Sequence, residues 1–271
     1  MTTTHPALEV RDLALRFGRV VAFEHVSFTI APGELFAVIG PNGAGKTSLF
    51  NVLSRVYQPS AGRVGYFGQD LLRLRASALA GAGIARTFQN LGLFGPMSVL
   101  QNVLIGRHHL MRSGPVRAGL WLGPARAEER RHRAAALEAL EYVGIAHHAD
   151  VPVQLLPFGV QKQVELARAL AMEPRLVLLD EPVAGMSGPE RSEVTALVRR
   201  LHAERGLTML LVEHDMGMVM SVAERVLVLD FGEVVAIGTP EEVQCDERVI
   251  RAYLGEEIEL PGELEPEAAR L

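Results

Sequence analysis

The sequence predicts an α/β fold, and three observations predict it. The apolar run Glu34-Leu35-Phe36-Ala37-Val38-Ile39 passes through a glycine-rich turn into the helical pattern Ser48-Leu49-Phe50-Asn51-Val52-Leu53. Two further apolar runs, Leu176-Val177-Leu178-Leu179 and Thr208-Met209-Leu210-Leu211-Val212, each end in carboxylates and read as strands buried in a parallel sheet. Residues from about Val99 to Tyr142, between the first run and the other two, carry a mostly helical period, which marks a helical insertion.

The chain opens with Leu8 to Ile30, where apolar and polar positions alternate around a break at Phe17-Gly18-Arg19. That pattern predicts antiparallel strands joined by a turn. After the next strand comes Gly40-Pro41-Asn42-Gly43-Ala44-Gly45-Lys46-Thr47-Ser48, which fits the phosphate-binding pattern G-x-x-x-x-G-K-[ST] in the strand-to-helix context the pattern requires. Glycines there let successive backbone N–H groups converge on phosphate oxygens, and the helix N-terminus adds positive potential. Lys46 reaches the outer phosphates and the Thr47 hydroxyl is placed to ligate magnesium. A nucleoside triphosphate with Mg2+ is the expected ligand.

A Gly/Arg/Leu-rich stretch follows and ends at Ile84-Ala85-Arg86-Thr87-Phe88-Gln89-Asn90. The helical insertion is broken at Ser113-Gly114-Pro115 and Gly123-Pro124. Its cluster Arg126, Glu128, Glu129, Arg130, Arg131, Arg133 mixes signs at helical spacing, as a solvated helix face does. The pairs His108-His109 and His147-His148 do not suit a metal, because adjacent helical residues point apart and no carboxylate cluster accompanies them.

The second apolar run ends in Asp180-Glu181-Pro182. In a phosphate-loop fold the C-terminal end of such a strand faces the nucleotide. Asp180 can then hold the magnesium, directly or through water, while Glu181 orients or deprotonates the attacking water. The third run ends in Glu213-His214-Asp215, which places His214 on the same edge.

Composition bounds the remaining possibilities. The 271 residues, 48% hydrophobic and 22% charged, suffice for a sizeable core. No apolar run approaches the about 20 residues of a membrane helix. Met1-Thr2-Thr3-Thr4-His5 lacks the features of a secretion signal, so a cytosolic location is expected. The single cysteine, Cys245, excludes an internal disulfide and a multi-cysteine metal site. Residues Glu256 to Leu271 hold six Glu and one Arg, a net charge of −5 that equals the chain's total, so the rest is balanced and shows no basic footprint for nucleic acid. That acidic tail has no periodicity and is expected to be solvated. Only Lys46 and Lys162 are lysines, and Lys46 sits where a compact point charge meets phosphate.

The phosphate loop, Gln89 in Thr87-Phe88-Gln89-Asn90, the Asp180-Glu181 pair and His214, in that order, closely resemble the nucleotide-binding subunit of ABC transporters. The resemblance runs from about Leu8 to Gly255. It implies a single ATPase domain over 7–255, with a P-loop NTPase (RecA-like) core, an N-terminal antiparallel β subdomain and an α-helical subdomain inserted at about 91–160. In that family a glutamine at the Gln89 position touches the magnesium and the nucleophilic water, and a histidine at the His214 position contacts the γ-phosphate. Phe17 matches the aromatic that stacks on adenine.

The family's signature loop, of Leu-Ser-Gly-Gly-Gln type, caps the ATP of a partner subunit. Its counterpart here is Leu156-Pro157-Phe158-Gly159-Val160-Gln161-Lys162-Gln163, in which only Leu156 and Gly159 fit strictly. Pro157 replaces a serine whose hydroxyl and N–H both donate, so closure over the partner's ATP is expected to be weaker there. Ala184-Gly185-Met186-Ser187 likewise has serine where aspartate is usual. These departures, with Glu213-His214-Asp215-Met216 and the ending Val249-Ile250-Arg251-Ala252-Tyr253-Leu254-Gly255, resemble the subgroup serving branched-chain amino-acid importers. The resemblance implies a peripheral ATPase on the cytoplasmic membrane face, a separate permease, a second ATPase subunit (a different one being favoured over a second copy) and an external solute-binding protein. The segment Gln89 to Leu100, with Leu93-Phe94-Gly95-Pro96, is the expected permease groove. Urea, amides or aromatic acids as cargo, and a soluble ABC ATPase of repair or translation, remain as alternatives.

Overall fold

A computed structural model describes residues 5–87, 91–111 and 123–254 of the chain. Gln89 and the acidic tail at 256–271 lie outside these described residues. The element order is β1 (Leu8–Phe17), β2 (Val20–Ile30), β3 (Leu35–Ile39), α1 (Lys46–Leu53), β4 (Ala61–Tyr66), β5 (Gln69–Asp70), β6 (Ile84–Arg86) and α2 (Val99–Gly106). Next come α3 (Gly123–Val143), α4 (Phe158–Ala171), β7 (Leu176–Asp180), α5 (Gly188–Arg205), β8 (Thr208–Val212), α6 (Met216–Val222), β9 (Arg225–Asp230), β10 (Glu233–Gly238), α7 (Pro240–Cys245) and α8 (Glu247–Leu254).

Two sheets result. The first runs β2-β1-β4-β5 and its pairings are antiparallel, as the alternation over Leu8 to Ile30 predicts. The second runs β10-β9-β3-β8-β7-β6 and is parallel except where β10 returns along β9. All five residues of β3, β7 and β8 are buried. Their near-continuous apolar composition is that of strands with both faces covered.

Alternation within a strand divides the core. Leu35, Ala37 and Ile39 of β3 face one cluster with Val99, Val103, Leu140, Val164 and Val198 from the helices. Phe36 and Val38 face the other, with Phe50 of α1 and Val10, Phe23 and Phe28 of the antiparallel sheet. Phe28 and Phe36 stack at 5.2 Å, joining the two sheets. The helical insertion enters after β6 and returns through α4 into β7, so it hangs from adjacent parallel strands. Because β3, β7 and β8 are parallel neighbours, the residues just past their last positions come to one edge of the sheet.

Candidate active site

The turn from β3 into α1 is set by its glycines. Gly40 and Gly45 have φ of 150° and 98°, and an added Cβ would stand 2.0 Å from the Leu229 carbonyl oxygen and 2.5 Å from that of Ala22. Only glycine lets β9 and β2 approach so closely. Lys46 folds over the turn and donates to the carbonyl oxygens of Gly40 and Pro41 at 2.6 and 2.8 Å. Its ammonium is thus already held at the loop that a phosphate would enter. Thr47 is exposed in the first turn of α1 and Ser48 is partly covered, while Asn42 and Gly43 form the exposed crest and Ala44 lies beneath it.

Asp180 ends β7, buried, and Glu181 comes next with φ of 45°. A non-glycine residue in this left-handed region is held against its preference by its surroundings, here by the Glu181 N–H donating to the Val212 carbonyl at 2.9 Å. The Glu181 carboxylate therefore turns toward β8, where His214 Nδ1 lies 4.0 Å from Glu181 Oε2 and 3.6 Å from Glu213 Oε2. Glu213 is fully buried and accepts from the backbone N–H groups of Val183, His214 and Asp215 at 3.0, 2.9 and 3.1 Å. It fixes both loops at once.

Sequence reasoning misses Glu213 in this role, and it misses Arg86. The Arg86 guanidinium reaches from β6 to Asp180 Oδ2 at 2.7 Å and to Asn51 Oδ1 at 3.0 Å, and it also donates to Ser54 Oγ. Asp180 N in turn donates to Thr87 Oγ1 at 3.2 Å. The two residues that precede Phe88-Gln89 are therefore locked to the acid-bearing strand.

Phe17 closes β1, half exposed, with Tyr57 edge-on at 5.2 Å. The β1–β2 hairpin touches the phosphate loop through Ala22. The signature counterpart lies elsewhere. Pro157 caps α4, Phe158 is exposed and Gly159 is buried. A Cβ on Gly159 would stand 2.8 Å from Glu190 Oε1. Glu190 also closes a capping box at the start of α5, accepting from the Ser187 hydroxyl at 2.6 Å and its N–H at 3.0 Å. Those bonds hold its carboxyl below the usual carboxylate range. The loops that carry the departures at Pro157 and Ser187 thus meet on one side chain.

A magnesium ion would find one buried carboxylate, Asp180, and one hydroxyl, Thr47, on the flanking elements. Among the described residues no group of three or more His, Cys, Asp or Glu is arranged to hold a metal ion by itself. Such a sparse set suits Mg2+, which binds through one or two carboxylates plus substrate phosphates rather than in an all-protein cage.

The chain thus holds a glycine-rich strand-loop-helix turn, with an acid pair and a histidine on the adjoining strand ends. The family model "ABC transporter" matches residues 23–184. The chain belongs to the ABC transporter family. It is an ATP-binding cassette, and its activity is ATP hydrolysis. A second model, "Branched-chain amino acid ATP-binding cassette transporter", matches residues 233–259. The cassette is 38% identical over 254 residues to the high-affinity branched-chain amino acid transport ATP-binding protein BraF of Pseudomonas aeruginosa, covering 93% of this chain and 99% of that protein. It is 38% identical over 257 residues to LivG of Escherichia coli, of the same description, with the same coverage. A sulfate/thiosulfate import ATP-binding protein of Bradyrhizobium diazoefficiens is 36% identical over 97% of the chain and 73% of its own length. Among solved structures, a nucleotide-free ATP-binding cassette from an ABC transporter superposes with a TM-score of 0.79 at 29% identity, covering 92% of this chain and 99% of that one.

Proposed function

We propose that this cassette powers an importer for branched-chain or related amino acids, working as a peripheral subunit on a separate permease at the cytoplasmic face of the membrane. The observation that carries the cargo is the match of residues 233–259 to the branched-chain model, since the phosphate loop and acid pair are common to cassettes of any cargo. No helix among the described residues is long and apolar enough to cross a membrane, so a permease would have to supply the path.

In this reading, Gly40 to Ser48 cradle the ATP phosphates and Lys46 exchanges its carbonyl partners for phosphate oxygens. Phe17 stacks on adenine. Thr47, Asp180 and Gln89 would hold Mg2+, whose charge offsets that of the phosphates. Glu181, its backbone pinned to β8, takes a proton from water, and His214 beside it reads the γ-phosphate. Pro157, Phe158 and Gly159 approach the ATP of the second cassette in a closed dimer, and loss of the γ-phosphate lets the pair reopen. A different second ATPase subunit fits the Pro157 and Ser187 departures, because one composite site then needs fewer donors. A solute-binding protein would deliver cargo to the permease.

The permease would dock on the loop after Gln89. Asn102, fully buried in α2, accepts from Phe94 N at 2.8 Å and donates to the Phe94, Met97 and Ser98 carbonyls at 3.1, 3.3 and 3.0 Å. That bonding leaves Phe94 and Met97 exposed, and the backbone bonds Val153 N to Met97 O and Gln154 N to Gly95 O tie this loop to the segment that leads into Leu155 and Phe158. Exposures of 54%, 69% and 42% at Phe94, Leu155 and Phe158 are high for apolar residues with no cover. The test is ATP-driven uptake of labelled leucine into vesicles holding the assembled transporter. Charged residues at Leu93 and Phe94 are expected to abolish uptake while basal hydrolysis persists. Full uptake in that variant would place the groove elsewhere.

A further inference from the structure

A buried charge cluster on α4 lies outside the active site. Glu165, on α4, is 1% exposed and Lys162 is 3% exposed, in a helix whose Val164, Leu166 and Ala167 are buried as well. An ionised carboxylate in such a place is costly unless it is paired and hydrogen-bonded. Glu165 Oε2 lies 3.3 Å from Lys162 Nζ, and Glu165 Oε1 accepts from the backbone N–H of Gly92 at 3.0 Å and lies 3.5 Å from the Arg168 guanidinium. Arg168 also donates to the carbonyl oxygen of Gly92. Both hydrogen-bonding groups of one residue in the loop after Gln89 are therefore held by one turn of α4.

The position of this clamp matters more than its strength. Gly92 is two residues before Phe94 in the proposed groove and three after Gln89. Glu165 is six residues beyond Gly159, about 9 Å along the helix that starts at the signature loop. We infer that Glu165 is a positioning residue that ties the loop 91–98 to the signature helix, so that a push on the permease groove moves this loop and the signature loop as one body. The inference rests on the transporter reading for the origin of that push. The tie itself needs no permease.

The test has two layers. Hydrogen exchange of segment 91–98 in the isolated chain should accelerate at least about tenfold in Glu165→Ala, because the Gly92 N–H loses its acceptor. The paired variant Glu165→Leu with Lys162→Met removes two buried charges together and preserves packing, and it should give the same acceleration if Glu165→Ala folds poorly. In the reconstituted transporter, hydrolysis stimulated by the loaded solute-binding protein should fall about tenfold, with basal hydrolysis within about twofold of the parent. Exchange unchanged in both variants overturns the inference, as does faster exchange with stimulated hydrolysis still at the parent level. A parent transporter that shows no stimulation contradicts the transporter reading instead, and the exchange comparison then decides the role of Glu165 alone.

Discussion

The Arg86 guanidinium donates to Asp180 Oδ2 at 2.7 Å, with the Asp180 side chain buried and that of Arg86 partly covered. The pair joins the strand that leads to Gln89 to the strand that carries the acid pair, against the C-terminal half of α1. Its two members are not equally replaceable. Arg86 keeps Asn51 and Ser54 if Asp180 loses its charge, whereas Asp180 loses its only cationic neighbour among these contacts if Arg86 is truncated.

Arg86→Ala is therefore expected to destabilise the nucleotide-free chain by about 3–5 kcal/mol, as stranding a buried charge does. Asp180→Asn should cost about 1 kcal/mol, the scale of one exchanged hydrogen bond. Urea unfolding of the two variants beside the parent checks the order.

Glu181→Gln removes the proposed base without altering the backbone bond to Val212. Turnover should drop about 10²-fold or more, with ATP affinity retained. Single-turnover hydrolysis and equilibrium ATP binding separate the two effects. Equal turnover in variant and parent would remove Glu181 from that role.

Phe17 is half exposed at the end of β1 with Tyr57 nearly perpendicular to it at 5.2 Å, so part of its ring is open to a purine. Phe17→Ala should weaken ATP binding about three- to tenfold, the scale of one aromatic contact, while Tyr57→Ala should weaken it less. Titration with a fluorescent ATP analogue reads both.

A pH effect is expected from His132 of α3. Its Nδ1 accepts from Arg107 Nε at 3.0 Å, and its Nε2 stands 3.9 Å from Glu128. Burial lowers its pKa most, and Arg107 and Arg131 lower it further against the opposing pull of Glu128 and Glu173. Protonation is then favoured in the unfolded chain, so the stability from neutral His132 is complete above about pH 6.5 and is lost as pH falls from there through the lowered folded value. His132→Asn keeps an acceptor for Arg107 and does not titrate. Its loss of stability between about pH 7.5 and pH 5.5 should be smaller than the parent's, by urea unfolding at each pH.

The parts of the fold and site that are legible in the sequence share one property: their chemistry is contiguous. The phosphate loop, the Asp180-Glu181 pair and His214 each sit in an apolar run ending in a polar motif, and that pattern names both the strand and the functional turn at its end. The two-residue β5 and the C-terminal β9, β10, α7 and α8 are not legible in this way, because short elements carry too little periodicity. Arg86, Glu213, Asn102, Glu190 and Glu165 escape sequence reasoning as positioning groups for a different reason. Each acts on backbone or carboxylate atoms brought to it by another element, and no spacing within its own segment encodes that. A signal exists only for Glu165, as a carboxylate inside the otherwise apolar Val164-Glu165-Leu166-Ala167, and for Glu213, as a carboxylate at the end of an apolar run.

The central claim, that this cassette drives an amino-acid importer, is tested most directly by identifying what co-purifies with tagged Glu181→Gln chain from solubilised membranes in the presence of ATP. Two permease subunits, a second ATPase subunit and a solute-binding protein that binds leucine, isoleucine or valine are the predicted set. Recovery of this chain alone, or with soluble nucleic-acid enzymes, would contradict it.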